Sequence, residues 1–335
     1  MAELANGNLT LLDLAKRSDP NGSIGIITEV LDKQNAVVSD INFIQGNLTT
    51  GHRAIIRTGI PTPTWRMFNQ NVQPTKSTTA QVDFGTGMLE NYSSMDSALA
   101  ALNGNARAAR FSEDSAILEG IGQEIATTLF YGNEDLNPEE FTGLQYYYND
   151  ENSESADNLI NGAGSGSDVD YGSIYLIGWG DRSITGIIPK EGTPGIQMND
   201  KGEQLIGNDT DGFIERFITH FKMLAGLAVL DWRFGVRIAN IRRGELNADA
   251  SGNSADLPDL MFTAMERIQS LEGVRPVFYM DRTMLEFLRK QMASKVGNST
   301  LEFKDVGGHR AAMFQGVPVR RTDALATTET LVTFS

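Results

Sequence analysis

The sequence predicts an α+β fold assembled from an arm, a projecting hairpin, one long helix and a mixed domain. Three observations carry that expectation. Residues 51–90 read as two extended limbs with no core of their own, residues 107–130 hold one apolar stripe at helical spacing, and residues 146–300 alternate strand and helix patterns.

At the N-terminal end, LTLLDLAKR at 9–17 has helical apolar spacing, DPNG at 19–22 reads as a turn, and 25–32 suits a second short helix. Residues 1–50 are therefore expected to form an N-terminal arm. In the next segment, RAIIRTG and AQVDFGTGMLENYSS alternate as strands do. Pro61, Pro63 and Pro74 break the stretch between them, and proline has no N–H to donate to a central ladder. Two limbs of roughly 15 residues would each run about 50 Å at about 3.3 Å per residue. A compact chain of this length has a radius of gyration of only about 20 Å. The hairpin 51–90 should project and need a neighbouring chain. Its charges from Arg53 to Lys76 are Arg53, Arg57, Arg66 and Lys76 with no acid, a basic strip on an acidic protein.

Residues 107–130 place Ile117, Ile121, Ile125 and Leu129 four apart, with Leu118 and Thr128 beside them, on one helix face. That helix should be about 36 Å long and end at Gly132. Glu113, Asp114, Glu119 and Glu124 are expected on its solvated side. The loop that follows is strongly acidic: between Gly132 and Asp170 stand Glu134, Asp135, Glu139, Glu140, Asp150, Glu151, Glu154, Asp157, Asp168 and Asp170 without a single Lys or Arg. The first six form the expected counterpart of a neighbour's basic strip, steering subunits together and setting their register.

Farther on, SIYLIGWG and RSITGIIPK read as paired strands, GTPG to GNDTDG as loop with a hairpin, and the apolar run after Asp211 as partly helical. LPDLMFTAMERIQSL at 257–271 is a helix with proline near its start, VRPVFYM a buried strand, and DRTMLEFLRKQMA a helix capped by Asp281.

Composition narrows the function classes. The 335 residues are 40% hydrophobic and 21% charged, as in folded proteins, with 34 glycines. There is no cysteine, so thiolate metal sites, thiol nucleophiles and disulfides are excluded. No basic start precedes an apolar run and no apolar stretch reaches 18 residues, so neither a secretory signal nor a membrane partner is expected. The Asn-x-Ser/Thr triplets at Asn8, Asn47, Asn91, Asn208 and Asn298 then read as chance. The 28 basic and 43 acidic residues leave a formal charge of −15, which disfavours binding to phosphate backbones and suits a wall that must not stick to nucleic acid.

Catalytic patterns fail one by one. His52, His220 and His309 stand in unrelated contexts without metal-ligand spacing. Ser165 and Ser167 in GAGSGSD are not in a nucleophile elbow, and no Gly-Lys pair exists for a phosphate loop. NDTDG at 208–212 and DVD at 168–170 fit turns better than a calcium loop, since Gly207 occupies the first ligand position. Adjacent Glu139 and Glu140 lack the separation of a glycosidase pair. Trp65, Trp179 and Trp232 read as packing or interface anchors. No cofactor, metal or catalytic residue is expected.

LFYGN at 129–133 with FTGL at 141–144, GVPVRRTDAL at 316–325 and TPTWRMFNQNVQPTKST at 62–78 appear within this order of elements. Together they resemble the major capsid proteins of tailed bacteriophages, the Hong Kong 97-like fold. AGLAVLDWRFGVRIANI at 225–241 is similar to a stretch in coat proteins of short-tailed phages of the epsilon fifteen kind. The resemblance implies a subunit of hexamers and pentamers in an icosahedral head enclosing double-stranded DNA, located in the virion and assembled in the host cytoplasm. It implies an E-loop at 51–90, a peripheral domain at 91–145 with a spine helix at 107–130, an axial domain at 146–300, and a C-terminal strand at 301–335 returning to the peripheral domain. Portal, scaffolding and decoration proteins would be its further partners. An encapsulin-like compartment shell, or an acidic polysaccharide-binding or hydrolytic protein built on loops 140–212, remain the alternatives.

Overall fold

A computed structural model describes residues 35–101, 106–162, 164, 170–208, 212–294, 301–306 and 309–334. The two helices and the turn expected before residue 34 lie outside the described residues. The part of the expected arm that is described does not project. The short helix α1 (Val37–Asp40) buries Val37, and β1 (Phe43–Gln45) pairs in parallel with β7 (Ile184–Ile188), Phe43 opposite Gly186.

Beyond it, β2 (Gly51–Gly59) and β3 (Thr78–Gly85) form a separate two-stranded hairpin. Next, β4 (Gly87–Asp96) leads through α2 (Ser97–Ala101) into the long helix α3 (Ala106–Tyr131). The helix forms where the fourfold spacing placed it. Ile121, Ile125 and Leu129 are buried, with Ile117 and Leu118 packed at their edge. Burying such side chains contributes about 1.5–3 kcal/mol each. The expectation that the helix acids are solvated fails at Asp114, which is buried against β4 because the ribbon crosses the helix there.

Gly132 ends the helix, its N–H donating to the Thr128 carbonyl at 2.8 Å. The reason for glycine is close approach. A side-chain carbon would lie 2.3 Å from the Phe141 carbonyl oxygen at Gly132 and 2.6 Å from the Thr128 oxygen at Gly143. The FTGL segment thus folds back onto the helix end, Gly143 N–H donating to Gly132 O at 2.8 Å, before α4 (Leu144–Tyr147) and β5 (Leu159–Asn161).

A mixed sheet organises the rest. Among the described residues its main path runs β12 (Leu301–Val306), β13 (His309–Phe314), β14 (Val317–Arg321), β11 (Arg275–Met280), β6 (Tyr171–Trp179), β7, β9 (Gly212–Val229), β4. β1, β5, β10 (Gly235–Arg242) and β8 (Gln197–Asn208) attach beside it. β6 is buried along its whole length because both its faces are covered. Tyr175, Ile177 and Trp179 face the core under α3, whereas Ile174 and Leu176 face a second core. α5 (Leu257–Arg267) and α6 (Arg282–Ser294) cover that second core through Met261, Ala264, Met284 and Leu288. Asp256 caps α5, which stops at Arg267 rather than 271, and Asp281 accepts from the Thr283 N–H as the cap of α6.

One expectation is corrected. The apolar run after Asp211 is not partly helical. It is the 18-residue strand β9, with a single short 3-10 turn at Trp232–Phe234 after it. Thr219, Phe221, Met223 and Ala225 alternate inward, a period of two that the density of apolar residues masks. Near the C-terminus, β14 pairs in parallel with β11, Phe278 opposite Val319. The segment after it reaches the helix, Ala324 and Leu325 packing in the core under α3 and Ala326 N–H donating to the Tyr131 hydroxyl at 2.9 Å.

That segment is fastened by a buried ion pair. Arg237 on β10 and Glu329 are 0% and 2% exposed, with Nη2 and Oε2 at 2.8 Å. Arg237 also donates to Ser173 Oγ at 3.0 Å, Tyr148 O at 2.9 Å and Asn149 Oδ1 at 2.9 Å. Glu329 accepts from Ser173 and, at 2.5 Å, from the hydroxyl of Tyr131, the last residue of α3. Burial first, then Tyr175 and Glu329, push the Tyr131 pKa far up, so the hydroxyl stays a donor. Removing one member leaves a buried charge unpaired, so Arg237→Met is expected to destabilise the subunit by about 3–5 kcal/mol, with Arg237→Met/Glu329→Met recovering most of the loss. Urea unfolding of the three proteins checks this; a single-variant loss below about 1 kcal/mol would contradict it.

Candidate functional site

The hairpin β2–β3 is anchored at its foot and free at its tip. At the foot, Phe84 is buried with Ile187 and Ala228, and Ala54 and Val82 pack beside them. The register sets Arg53 opposite Asp83. Their side chains meet in two hydrogen bonds of 2.6 Å. The Arg53 bond holds the exposed Asp83 carboxyl below its ordinary pKa, against a small opposing effect of desolvation. Arg53 is therefore satisfied within its own hairpin, which corrects its place in the basic strip. Arg57 and Lys76 are exposed and make no ion pair among the described residues; Arg66 donates to Gln70 O at 3.2 Å.

Residues 60–77 form no strand. A turn organises the tip: Gln70 N–H donates to Met67 O and Met67 N–H to Gln70 Oε1, each at 3.2 Å, with Asn69 at φ 63°, a conformation asparagine tolerates. The turn presents Trp65, 100% exposed, and Phe68, 99% exposed, with Ile60 and Met67 beside them. Such side chains cluster at interfaces, and none of these has a partner within the described chain.

The acidic residues divide into two places. Glu134, Asp135, Glu139 and Glu140 share one exposed loop held by Asn133, whose side chain accepts from Asp135 N–H at 3.0 Å. This loop lies at the foot of its own hairpin, where the Glu134 carboxylate would meet any side chain added at Gly85. Exposed Leu136 sits among the acids, and Tyr146 donates to Asp135 at 3.1 Å. Asp150 and Glu151 lie in a separate turn, Asp150 accepting from Asn152 N–H at 2.9 Å. The chain does not bring Arg57, Arg66 or Lys76 to either group: no ion pair joins them among the described residues.

A second projecting element stands where the sequence pattern predicts a loop with a hairpin, although the length of its second strand is not anticipated. β8 and β9 run past the end of their pairing with β4 at Arg216, leaving an overhang that carries exposed Leu205, Ile206, Phe213 and Ile214. Of the tryptophans, Trp179 is buried and donates to the Tyr279 hydroxyl at 2.9 Å, and Trp232 is partly buried. His220 stacks on Tyr92 with ring centroids 4.4 Å apart. Asp209, Asp211 and Asp168 lie outside the described residues.

Comparison with known proteins gives three findings. The model of the family described as Major capsid protein GP7 matches residues 19–333. The chain is 32% identical to a chain in a cryo-EM structure of bacteriophage Epsilon15, over 99% of both chains, with a TM-score of 0.79. A chain of the bacteriophage JBD30 capsid shares the fold, at a TM-score of 0.52 and 10% identity over 89% of this chain and 93% of that one. Among curated proteins nothing matches.

Since Trp65 and Phe68 are 100% and 99% exposed among the described residues, Trp65→Ser/Phe68→Ser is expected to leave monomer stability within about 0.5 kcal/mol of the parent. Denaturant unfolding checks this, and a loss above about 2 kcal/mol would show that the tip packs on its own body.

Proposed function

Because the chain belongs to the Major capsid protein GP7 family and has the Hong Kong 97-like fold, we propose that its hairpin and acidic loop join neighbouring subunits of the capsid shell it builds. The protein is a structural shell subunit, and its mechanism is assembly rather than catalysis. Family membership decides against the compartment and sugar-binding alternatives. The observation that carries the interface is the hairpin tip: two aromatic side chains fully in solvent on a ribbon whose foot is anchored in the core.

On this reading Arg57, Arg66 and Lys76 of one subunit meet Glu134, Asp135, Glu139 and Glu140 of the next, and Trp65, Met67 and Phe68 settle over Leu136 and Tyr146. Opposite charges set encounter rate and register, while aromatic burial supplies affinity. The contact is heterologous, so rings form where the rotation closes, as hexamers and pentamers. The acidic surface encloses double-stranded DNA without reading its sequence. Portal, scaffolding and decoration proteins are the further partners, and assembly takes place in the host cytoplasm before the subunit becomes part of the virion. Residues 51–90 act as the E-loop, α3 as the spine of the peripheral domain, and 146–300 as the axial domain.

Deleting residues 60–76 is expected to leave a folded subunit that forms no particles. Arg57→Glu/Arg66→Glu should slow assembly, with the defect shrinking as salt screens the charges. Sedimentation and electron microscopy at several ionic strengths read both. Assembly insensitive to charge reversal and salt would overturn the electrostatic pairing, and particles from the deletion variant would overturn the role of the tip.

A further inference from the structure

The joint between α3 and the ribbon β4–β9–β8 contains a buried acid that the assembly reading does not use. Asp114 projects from the first half of α3 and is 6% exposed, and its Oδ1 has no hydrogen-bond partner among the described residues. One neighbouring cation must serve several groups. Arg110, one turn earlier, has its Nη2 2.5 Å from Asp200 Oδ1 on β8 and 3.2 Å from Thr219 Oγ1 on β9, and its guanidinium lies 5.0 Å from the Phe217 ring centroid. Asp114 is thus left with a bond to Ser93 of β4, while Asp200 and Glu113 stand near enough to repel its charge. Arg216 and His220 alternate onto the opposite face of β9, where they meet Ser94 and Glu90, so they do not relieve it. Helix and ribbon are held together here by a small apolar cluster of Met95, Ala100 and Ala109, backed by Phe217.

We propose that Asp114 is a proton-operated latch of this joint: with its proton the carboxyl lies quietly between helix and ribbon, and without it the buried charge loosens the ribbon from the first half of α3. The orphaned oxygen is the geometric reason, since a buried carboxylate short of donors is costly whereas a neutral carboxyl tolerates the site. Burial, the largest influence, raises the Asp114 pKa, with Asp200 and Glu113 adding to it and Ser93 and Arg110 opposing. A carboxyl whose folded pKa lies above its unfolded value binds its proton more tightly in the folded chain. Its stabilisation is therefore complete below the unfolded value of about 3.9 and is lost as pH rises through the raised folded value. The latch closes in acid and slackens toward neutrality.

Hydrogen exchange of the full-length subunit, corrected for intrinsic rates, tests this between pH 4 and 8. Exchange in residues 93–96, 200–204 and 215–219 is expected to accelerate by about tenfold for each unit by which the Asp114 pKa is raised. Exchange in the distant β6 and β11 should stay level. Asp114→Asn, which keeps the shape and cannot ionise, should hold the protected state at every pH, and Asp114→Ser should likewise show no pH slope. A wild-type profile that is flat in these segments would overturn the proposal without reference to any variant. So would an Asp114→Asn profile as steep as the wild type.

Discussion

The buried pair of Arg237 and Glu329 is the interaction on which the rest of the subunit depends. It ties five elements that are distant in sequence: strand β10, strand β6 through Ser173, the last residue of the spine helix through Tyr131, the loop after the helix through Tyr148 and Asn149, and the C-terminal segment. An isolated ion pair would be a poor investment so deep in the protein, since desolvation rivals the attraction between the charges. Here the Arg237 nitrogens and both Glu329 oxygens find partners, so the pair fixes geometry while the two apolar cores supply most of the stability. Asn240 continues the seam, its side chain holding Val332 by both backbone groups at 2.9 and 2.7 Å.

Rigidity at that seam gives meaning to the two elements that project from it. A lone two-stranded ribbon is marginal in water, yet β2–β3 reaches out past a tip without strand pairing, and the β8–β9 overhang does the same with four exposed apolar side chains. Neither buries the apolar residues of its free end among the described residues. In a shell protein this is the expected division of labour: a well-packed body holds the spine helix and sheet in place, and incomplete ribbons are completed by other copies. On the proposed reading, stability and assembly are separate properties carried by different residues, Arg237 and Ile121 for one, Trp65 and Phe68 for the other.

Much of this was legible in the sequence where the signal is local. Helix α3 was readable because four apolar residues repeat at one spacing, and the hairpin because prolines interrupt two alternating limbs. What the sequence hides is pairing at long range. Arg237 and Glu329 are 92 residues apart and nothing local marks either as a partner. Asp83 neutralises Arg53 only because the strand register sets them face to face, so a charge count that stopped at Lys76 overstated the strip. β9 was misread because its alternation is confined to residues 219–225, and the stretch from Ala225 to Val229 is buried and apolar throughout, as a buried helix could also be. Asp114 looked like one more solvated acid until the ribbon was laid across the helix.

The central claim is that the hairpin tip is unfinished until another copy covers it. A cryo-EM reconstruction of assembled particles tests this most directly, at a resolution that traces the side chains of Trp65 and Phe68. The account predicts both rings buried against Leu136 and Tyr146 of an adjacent subunit, with Arg57, Arg66 and Lys76 facing that subunit's acids. Rings folded back onto their own spine helix, or left in solvent within the closed shell, would contradict it.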